Sequence, residues 1–430
     1  MRLALWFLGL FGMAVALAVF AGNNQGTVTL FWPPYRLDLS LNLVVVIAIV
    51  LFLLVHLALR ALAALFAMPG HARSWRVQHQ ERAIHQALVE ALSHLLAGRF
   101  IRARTAADVV LVREAALTRS GEKLNYAGRL RALSHLLAAE SAQALQDKQA
   151  RALHLEQALA EASRPDAQGT REGVQLRAAR WAIEDRDAQG ALDWLDGLPV
   201  GASRRTLALR LRLKAARMAR QTRMALETGR LLTKHRAFSG LAARGILRGL
   251  TVELVQTAHD VDQLQGIWND LEAQERALPE VAIEAAHRLL KLGGPADLAR
   301  SWLLPVWERM AAPAQASPEA LDDTQRVSLI GALEATFAIG APQAVWLTRI
   351  EQAQMMQPGD ASLQYLAGVA CLRLQLWGKA QQWLTQALPR LKHAELQRKA
   401  WLALAQLAEQ RGDADASAQA WQKAAKLGLS

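Results

Sequence analysis

Two long uncharged runs near the amino terminus constrain this chain more than any other feature. Residues 3–21 and 41–59 each hold 19 residues without a charged side chain. At about 1.5 Å per residue, a helix of this length spans the roughly 30 Å hydrocarbon core of a bilayer. Backbone polar groups inside lipid must be satisfied within the segment, so each run is predicted to be a transmembrane helix. The first run alone would also suit a cleaved signal peptide, but the second argues for a hairpin that stays in the membrane.

The basic residues that flank these runs predict the orientation of the hairpin. Arg2 precedes the first run, and four arginines between Arg60 and Arg82 follow the second. The loop at residues 22–40 holds one arginine and one aspartate, whose charges cancel. We therefore expect both the amino terminus and everything after the second run to be cytoplasmic, with the loop on the opposite side.

The loop contains residues that are typical of a membrane–water interface. Trp32 and Tyr35 flank two prolines, which cannot continue a helix. His56 lies inside the second run, about one turn before Arg60. Its ring can reach the interface from this position, although an ionisable group at membrane depth is also typical of a functional residue.

Beyond the membrane segment, composition favours helices. The chain is 52% hydrophobic but has only 3 Tyr and 9 Phe, so its apolar residues are mostly Leu and Ala. These residues favour helices, whereas β-branched and aromatic residues favour strands. The single cysteine, Cys371, excludes an internal disulfide framework and a multi-cysteine metal site, and is interpreted as a buried apolar residue.

The helical pattern repeats as helix pairs, which is typical of tetratricopeptide (TPR) arrays with a period near 34 residues. In the clearest pair, Gly368 and Ala380 are the small contact residues, Leu384 is the large one and Ala387 closes the turn. The predicted fold class is therefore all-α, an N-terminal two-helix transmembrane hairpin followed by a TPR-like α-solenoid. The predicted domains are a hairpin over 1–68, membrane-proximal helical repeats over 69–160, divergent TPR-like repeats over 161–312, and C-terminal TPR repeats over 313–430.

The heptapeptide ALSHLLA occurs twice, at residues 91–97 and 132–138. Each copy centres on a histidine, His94 or His135, and both are expected late in the first helix of consecutive pairs, with the turn following. A ligand shared by the two histidines is one hypothesis, because neighbouring helix axes lie roughly 8–10 Å apart. Packing of equivalent positions in adjacent repeats is the favoured interpretation.

Positive charge is concentrated in the stretch 204–248. Residues 201–250 contain 13 basic side chains and one acidic side chain, Glu227. Helical spacing places Arg210, Lys214 and Arg217 on one face, which predicts either a solvated surface or a site for an anionic partner. Nucleic acid is not the expected partner, because aromatic residues for base stacking are missing from this stretch.

Sequence motifs for catalysis are absent. There is no G-x-G-x-x-G, Walker A loop, H-E-x-x-H, C-x-x-C or G-x-S-x-G motif, so neither a catalytic residue nor a metal site is predicted. Three histidines follow the second run, and an axial haem ligand requires only one or two imidazoles beside an apolar slot. The candidate haem ligands are His71, His79 and His85, against the alternative of surface histidines on a basic helix.

Several longer segments resemble the HemY family of proteobacterial inner-membrane proteins. They are the loop GNNQGTVTLFWPPYRLDLS with the second run, then HARSWRVQHQERAIHQAL over residues 71–88, LNYAGRLRALSHLLAAE over 124–140, and LQGIWNDLEAQERALPEVAIEAAHRLL over 264–290. The "SWRVQHQER" stretch is less basic than the family pattern. The resemblance covers the whole chain and is strongest in the first 140 residues.

The resemblance implies a location and a role. The location is the bacterial cell inner membrane, with two spans and a cytoplasmic repeat domain. The role is a non-catalytic scaffold in late protohaem IX biosynthesis, whose partners are late haem-biosynthesis enzymes and membrane lipids and whose bound ligand would be haem or porphyrin. A TPR assembly factor for another cell-envelope complex is the alternative; the oligomeric state is not predicted.

Overall fold

The fold is described from a computed structural model of the chain. The structure describes residues 26–122, 124–312, 321–339 and 344–427, together with scattered residues between 9 and 22. The side chains of residues 64–74 and 339 are not described. The predicted first span, residues 3–21, lies largely outside the described residues.

The segment before the second apolar run is a β-hairpin, so the all-α prediction is wrong at this point. Strand β1, Thr27–Trp32, pairs antiparallel with β2, Tyr35–Ser40. Pro33 and Pro34, joined by a cis peptide bond, form the two-residue connection. Polar and apolar residues alternate in YRLDLS and, except at Phe31, in TVTLFW, and this period of two is typical of strands with two different faces.

A single helix, α1, runs from Leu41 to Leu96 without interruption. Its amino end is capped by Ser40, whose Oγ accepts a hydrogen bond from the Leu43 amide at 3.3 Å. The segment Leu41–Ala63 has a mean hydropathy of 2.9 and is not buried by the rest of the chain, so it is compatible with a membrane anchor. It is the one such helix found among the described residues; two spans are not established. The predicted domain boundary after residue 68 falls within α1.

By their internal contacts, residues fall into two compact units, Met1–Arg171 and Glu172–Ser430. In the first unit, α1 packs against α2, Phe100–Arg119, which packs in turn against α3, Ala127–Ala144. Helix α3 forms a second pair with α4, Lys148–Ala162. Small buried residues allow the close approach of α1, α2 and α3: Ala91, Ala107 and Ala138.

The second unit continues the helix pairs around one extended hydrophobic core, which reaches from Leu209 to Leu407. The boundary between units falls in the helix Gln168–Glu184, and the predicted domain boundary after residue 312 lies inside the second unit. The helices are α5 Gln168–Glu184, α6 Ala188–Asp196, α7 Val200–Ser203, α8 Thr206–Met218, α9 Thr222–Lys234, α10 Gly240–Gln256, α11 Val261–Asp270, α12 Ala273–Arg276, α13 Pro279–Lys291, α14 Ala296–Ala311, α15 Asp323–Ile339, α16 Ala344–Met356, α17 Ala361–Arg373, α18 Trp377–Ala387, α19 Ala394–Gln410 and α20 Ala414–Leu427, with a short 3-10 helix at Leu388–Arg390.

Packing within the second unit is that of stacked helix pairs. The first helices of successive pairs touch in order, α10 with α13, α13 with α15, α15 with α17 and α17 with α19. Several of them also contact the second helix of their own pair, as in α13 with α14, α17 with α18 and α19 with α20. A helical-repeat array is therefore the observed architecture of this unit, in agreement with the helix pairs that the sequence predicts.

The same turn recurs between the two helices of a pair. A residue with positive φ stands in this turn in seven of the described pairs, in both units. The following position often caps the next helix, as Asp147, Asp187 and Asp413 do by accepting a backbone N–H three residues later. The positive-φ residues in the turns within these seven pairs are Gly98, Gln146, Arg186, Arg220, Gly293, Gln375 and Gly412.

Candidate functional site

The candidate site is a groove between α1 and α2 in the first unit. Helix α1 continues from the apolar segment, and Trp75 stands about 18 Å past Ala63 along its axis. Helix α2 folds back along α1 because buried apolar residues join the two helices, including Ile84, Ala87 and Val110. The other sides of the two helices remain open and form the walls of the groove.

Two cavities make up this α1–α2 groove. The first has a volume of about 390 Å³, and the second, farther along α1, about 670 Å³. They are adjacent, because both are lined by Ala83 and Arg113. Both volumes suit a small organic ligand. The first is lined by Trp75, Arg76, His79, Gln80, Ala83, Arg113 and Ala116, and the second by Ala83, Gln86, Ala87, Glu90, His94, Arg102, Thr105, Ala106, Val109 and Arg113.

The first cavity combines an aromatic wall with positive charge. The indole of Trp75 meets the imidazole of His79 edge-on, with ring centroids 5.5 Å apart. Arg113 is held at the junction of the two cavities, because its Nη1 donates a hydrogen bond to the carbonyl oxygen of Ala83 at 2.9 Å. A flat apolar molecule with a carboxylate would find a ring edge, an alanine floor and a guanidinium here.

Of the three predicted haem ligands, the two whose side chains are described, His79 and His85, are not brought together. His79 lines the groove, whereas His85 lies on another face of α1 and stacks on Tyr126, with ring centroids 5.7 Å apart. The Tyr126 hydroxyl donates to Glu81 and lies 3.1 Å from Nε2 of His85. Burial and the Glu81 carboxylate raise the pKa of Tyr126 to about 12. The side chain of His71 lies outside the described part of the chain.

The two histidines of the repeated heptapeptide have different neighbours. His94 is 3.5 Å from Glu90 and lines the second cavity. His135 instead meets His154 of α4, with 3.2 Å between their Nδ1 atoms. The first copy ends at the turn after α1, but six more helical residues follow the second copy, so the predicted turn after it is wrong.

The His135–His154 pair is packed inside the first unit, between α3 and α4. Burial lowers the pKa of both imidazoles, and the proximity of His154 lowers the pKa of His135 further. A neutral pair satisfies both Nδ1 atoms with one donor and one acceptor. No group of three or more metal-ligating side chains occurs among the described residues. His154 is not identifiable from the sequence, because no motif links it to His135.

The predicted anion-binding residues are exposed on α8 in the second unit. Arg210, Lys214 and Arg217 share one face, as their spacing predicts. Nη2 of Arg210 donates to the carbonyl oxygen of Ala237 at 2.9 Å, and its guanidinium lies 5.9 Å from the ring centroid of Phe238. This contact gives Arg210 a structural role between helices.

Many other arginines of the stretch 204–248 are neutralised by acidic residues on neighbouring helices. Arg230 is among the less exposed of them, and hydrogen bonds from its guanidinium to Glu275 raise the pKa of Arg230. The ion pairs therefore reduce the charge that the linear sequence indicates. They are Arg205–Glu172, Arg212–Asp196, Arg223–Asp270, Arg230–Glu275 and Arg248–Glu280.

Part of the chain matches a known protein family. Residues 26–146 match the family described as "HemY protein N-terminus". This range contains the β-hairpin, all of α1 and α2, and the whole α1–α2 groove. No curated protein matches the sequence.

The solved structures that match this chain share little sequence with it. The structure titled "Crystal structure of APC/C hetero-tetramer Cut9-Hcn1" is 13% identical over 80% of this chain and 66% of its own, with a TM-score of 0.29. The structure titled "Crystal Structure of P58(IPK) TPR Domain at 2.5 A" is 15% identical over 76% of this chain and 99% of its own, with a TM-score of 0.24. The structure titled "Structure of Naa15/Naa10 bound to HypK-THB" is 13% identical over 77% of this chain and 57% of its own, with a TM-score of 0.23.

Proposed function

We propose that this chain is a HemY-family protein, because residues 26–146 match the family's amino-terminal part, and that it is a membrane-anchored TPR-type scaffold acting in a late step of protohaem IX biosynthesis. It organises pathway enzymes or handles their porphyrin or haem product, and it performs no catalysis itself. Its place is the bacterial inner membrane, with two spans and the repeats in the cytoplasm.

The observation that carries this proposal is the position of the α1–α2 groove. One continuous helix, α1, contains the apolar segment Leu41–Ala63 and also supplies one wall of the groove. Late porphyrin intermediates are flat apolar rings with carboxylate groups, so they partition into membranes. A groove on the same helix that enters the bilayer is suited to receive such a molecule as it leaves the lipid.

The lining residues fit a porphyrin carboxylate and an iron ligand. Arg113 is held in place by Ala83, and a fixed guanidinium binds a carboxylate with two parallel hydrogen bonds. His79 is the imidazole of the first cavity and would be the axial ligand if haem is bound. His85 is engaged with Tyr126 and is therefore not proposed as a ligand.

Titration of the purified full-length protein in nanodiscs tests the groove. Haem binding is followed by the Soret band, and binding of iron-free protoporphyrin by fluorescence. We expect His79→Ala to weaken haem binding about tenfold or more, while the matched variant His85→Ala leaves it unchanged. Arg113→Gln should weaken both ligands. Equal affinities for all four proteins would contradict a ligand site in the groove.

The scaffold role is tested by affinity capture from detergent-solubilised membranes. Late haem-pathway enzymes should be recovered, and reversing the exposed charges with Lys214→Glu and Arg217→Glu should reduce their recovery. Arg390→Glu with Lys392→Glu reverses two other exposed charges of the same unit and serves as the matched control. Recovery that is equal in all variants would exclude the α8 surface.

A strain that lacks this protein distinguishes a role in haem synthesis from a role in assembling another envelope complex. Accumulation of late porphyrins in the strain supports action in haem synthesis. A normal porphyrin profile with a defect in another envelope complex would support the alternative, a TPR-type assembly factor.

A further inference from the structure

The β-hairpin that precedes α1 has two chemically different faces. Cross-strand partners lie on the same face of an antiparallel pair, and successive residues alternate between faces. One face is apolar throughout and is called here the apolar hairpin face. It consists of Val28 opposite Leu39, Leu30 opposite Leu37, and Trp32 opposite Tyr35.

The other face is mainly polar, and its one apolar residue, Phe31, is 72% exposed. It carries Thr27 opposite Ser40, Thr29 opposite Asp38, and Phe31 opposite Arg36. The guanidinium of Arg36 lies 5.4 Å from the Phe31 ring centroid, and Nε of Arg36 is 3.4 Å from Oδ1 of Asp38. Phe31 therefore has a cation over its ring. The face that carries Phe31, Arg36 and Asp38 suits contact with water.

The part of the apolar hairpin face toward the turn is not covered by the rest of the described chain, whereas Val28 and Leu39 at the base are partly buried. Leu30 is 49% exposed and Leu37 55%, while Trp32 and Tyr35 at the turn are 71% and 72% exposed. An isolated two-stranded hairpin is only marginally stable in water and requires cover on its apolar face. The exposed face therefore needs a partner.

The connection to α1 identifies this partner. Strand β2 ends at Ser40, and the apolar segment Leu41–Ala63 begins at the next residue. The Leu41 amide donates to the carbonyl oxygen of Gly26 at 2.8 Å, which closes the base of the hairpin onto the first turn of the helix. No linker separates the strands from the membrane helix, so the hairpin is held within its own length of the bilayer surface.

We propose that the hairpin lies on the non-cytoplasmic surface of the bilayer with its apolar face against the lipid. The proposal rests on the membrane anchoring stated under the proposed function. Trp32 and Tyr35 sit at headgroup level, where rings with an apolar body and a polar tip are favoured. Leu30 and Leu37 contact the acyl boundary, and the side chains of the polar face are directed to water. In this position the hairpin fixes the amino end of α1 at the interface.

Spin labels on neighbouring positions of the two faces test this orientation in full-length protein reconstituted in nanodiscs of phosphatidylcholine and phosphatidylglycerol. Labels are attached through Leu30→Cys and Leu37→Cys on the apolar face, and through Thr29→Cys and Asp38→Cys on the polar face. We expect the two labels on the apolar face to be accessible to oxygen and inaccessible to a water-soluble nickel chelate. The two labels on the polar face should be accessible to the nickel chelate and less accessible to oxygen. The native Cys371 is buried and remains unlabelled.

A label at Phe52→Cys, in the middle of the apolar segment, separates two kinds of failure. If the Phe52→Cys label is shielded from nickel but the Leu30→Cys and Leu37→Cys labels are not, the hairpin proposal is wrong while the anchor stands. If the Phe52→Cys label is itself accessible to nickel, the anchor fails. Apolar-face labels that are immobilised and shielded from both reagents would overturn the proposal and assign the face to a protein contact, such as a second copy of this chain.

Discussion

At the scale of single residues, two imidazoles face each other between α3 and α4. The Nδ1 atoms of His135 and His154 are 3.2 Å apart, and burial lowers the pKa of both rings. The imidazoles can share a hydrogen bond only while at least one of them is neutral. The pair therefore links the packing of α3 and α4 to pH.

Acidification should weaken this packing. The folded chain binds a proton at these sites less readily than the unfolded chain, whose histidines have a pKa near 6.5. The stabilising contribution is therefore complete above about pH 6.5 and is lost as the pH falls toward the lower pKa of the folded state. We expect His154→Gln to reduce the fall of the thermal unfolding midpoint between about pH 7 and about pH 5, measured by circular dichroism.

His235→Gln is the control, because His235 is exposed at the end of α9. It should show the same pH dependence as the wild-type protein. A His154→Gln variant that is as sensitive to acid as the wild type would show that the pair does not contribute.

The same residues show what sequence patterns reveal at this scale. The repeat of ALSHLLA correctly places His94 and His135 in the first helices of consecutive pairs. The partner of each histidine depends on which side chains the neighbouring helices present, and this is not encoded in the spacing. His79 and His85, six residues apart on α1, separate for a different reason, which the spacing does encode: six helical positions turn them to different faces.

At the scale of elements, helix pairs depend on small residues where two helices touch. A Cβ atom built on Gly368 of α17 would lie 2.7 Å from Cγ of Leu384 in α18 and 3.2 Å from its backbone nitrogen. The two helices therefore approach as closely as a glycine allows. This confirms the sequence-based assignment of Gly368 and Leu384 as the contact of this pair.

Gly368→Ala is expected to destabilise the protein by about 1–2 kcal/mol. Overpacking against Leu384 costs about 1–3 kcal/mol, which exceeds the gain of roughly 0.5–1 kcal/mol from alanine in a helix. Gly249→Ala in α10 is the matched control, because a methyl group at this position would meet no atom of another element within 4 Å. This variant should therefore show only the stability gained by placing alanine in a helix. Urea unfolding should shift in opposite directions for the two variants. A shift of Gly368→Ala to greater stability would contradict the close contact.

The β-hairpin is the element that sequence patterns did not predict. Its strands are only six residues each, and they lie between two long apolar runs of the sequence. The alternation of TVTLFW and YRLDLS on either side of Pro33–Pro34 is the signal that could have identified it. The sequence does predict aromatic residues suited to an interface, but their arrangement on one face follows from the antiparallel pairing.

At the scale of the whole molecule, the distributions of charge in sequence and in space differ. The stretch 204–248 is strongly basic as a string of residues, yet five of its arginines form ion pairs with acids from neighbouring helices. What remains at the surface of α8 is a smaller cationic face around Lys214 and Arg217. The net charge of +12 is thus a poor guide to the local potential of any one helix.

Membrane topology gives a prediction at this scale. In intact spheroplasts, a membrane-impermeant maleimide should label Asp38→Cys in the hairpin but not Asp415→Cys at the start of α20. Permeabilisation should make Asp415→Cys reactive, because the basic residues after the second run predict a cytoplasmic repeat domain. Burial raises the pKa of the native Cys371 thiol to about 11, so the parent protein supplies an unlabelled background. Labelling of Asp415→Cys before permeabilisation would reverse the orientation.

The sequence by itself determined the helical class, the repeat of helix pairs, the apolar segment and the HemY resemblance. Each of these follows from local periodicity or from the composition of a continuous stretch, which the linear order of residues records. The tertiary structure alone decided that α1 is one helix from the apolar segment to the groove, that Arg113 joins two cavities, and that His135 meets His154. These depend on which faces of separate helices meet, and such pairing is set by the packing of side chains distant in sequence.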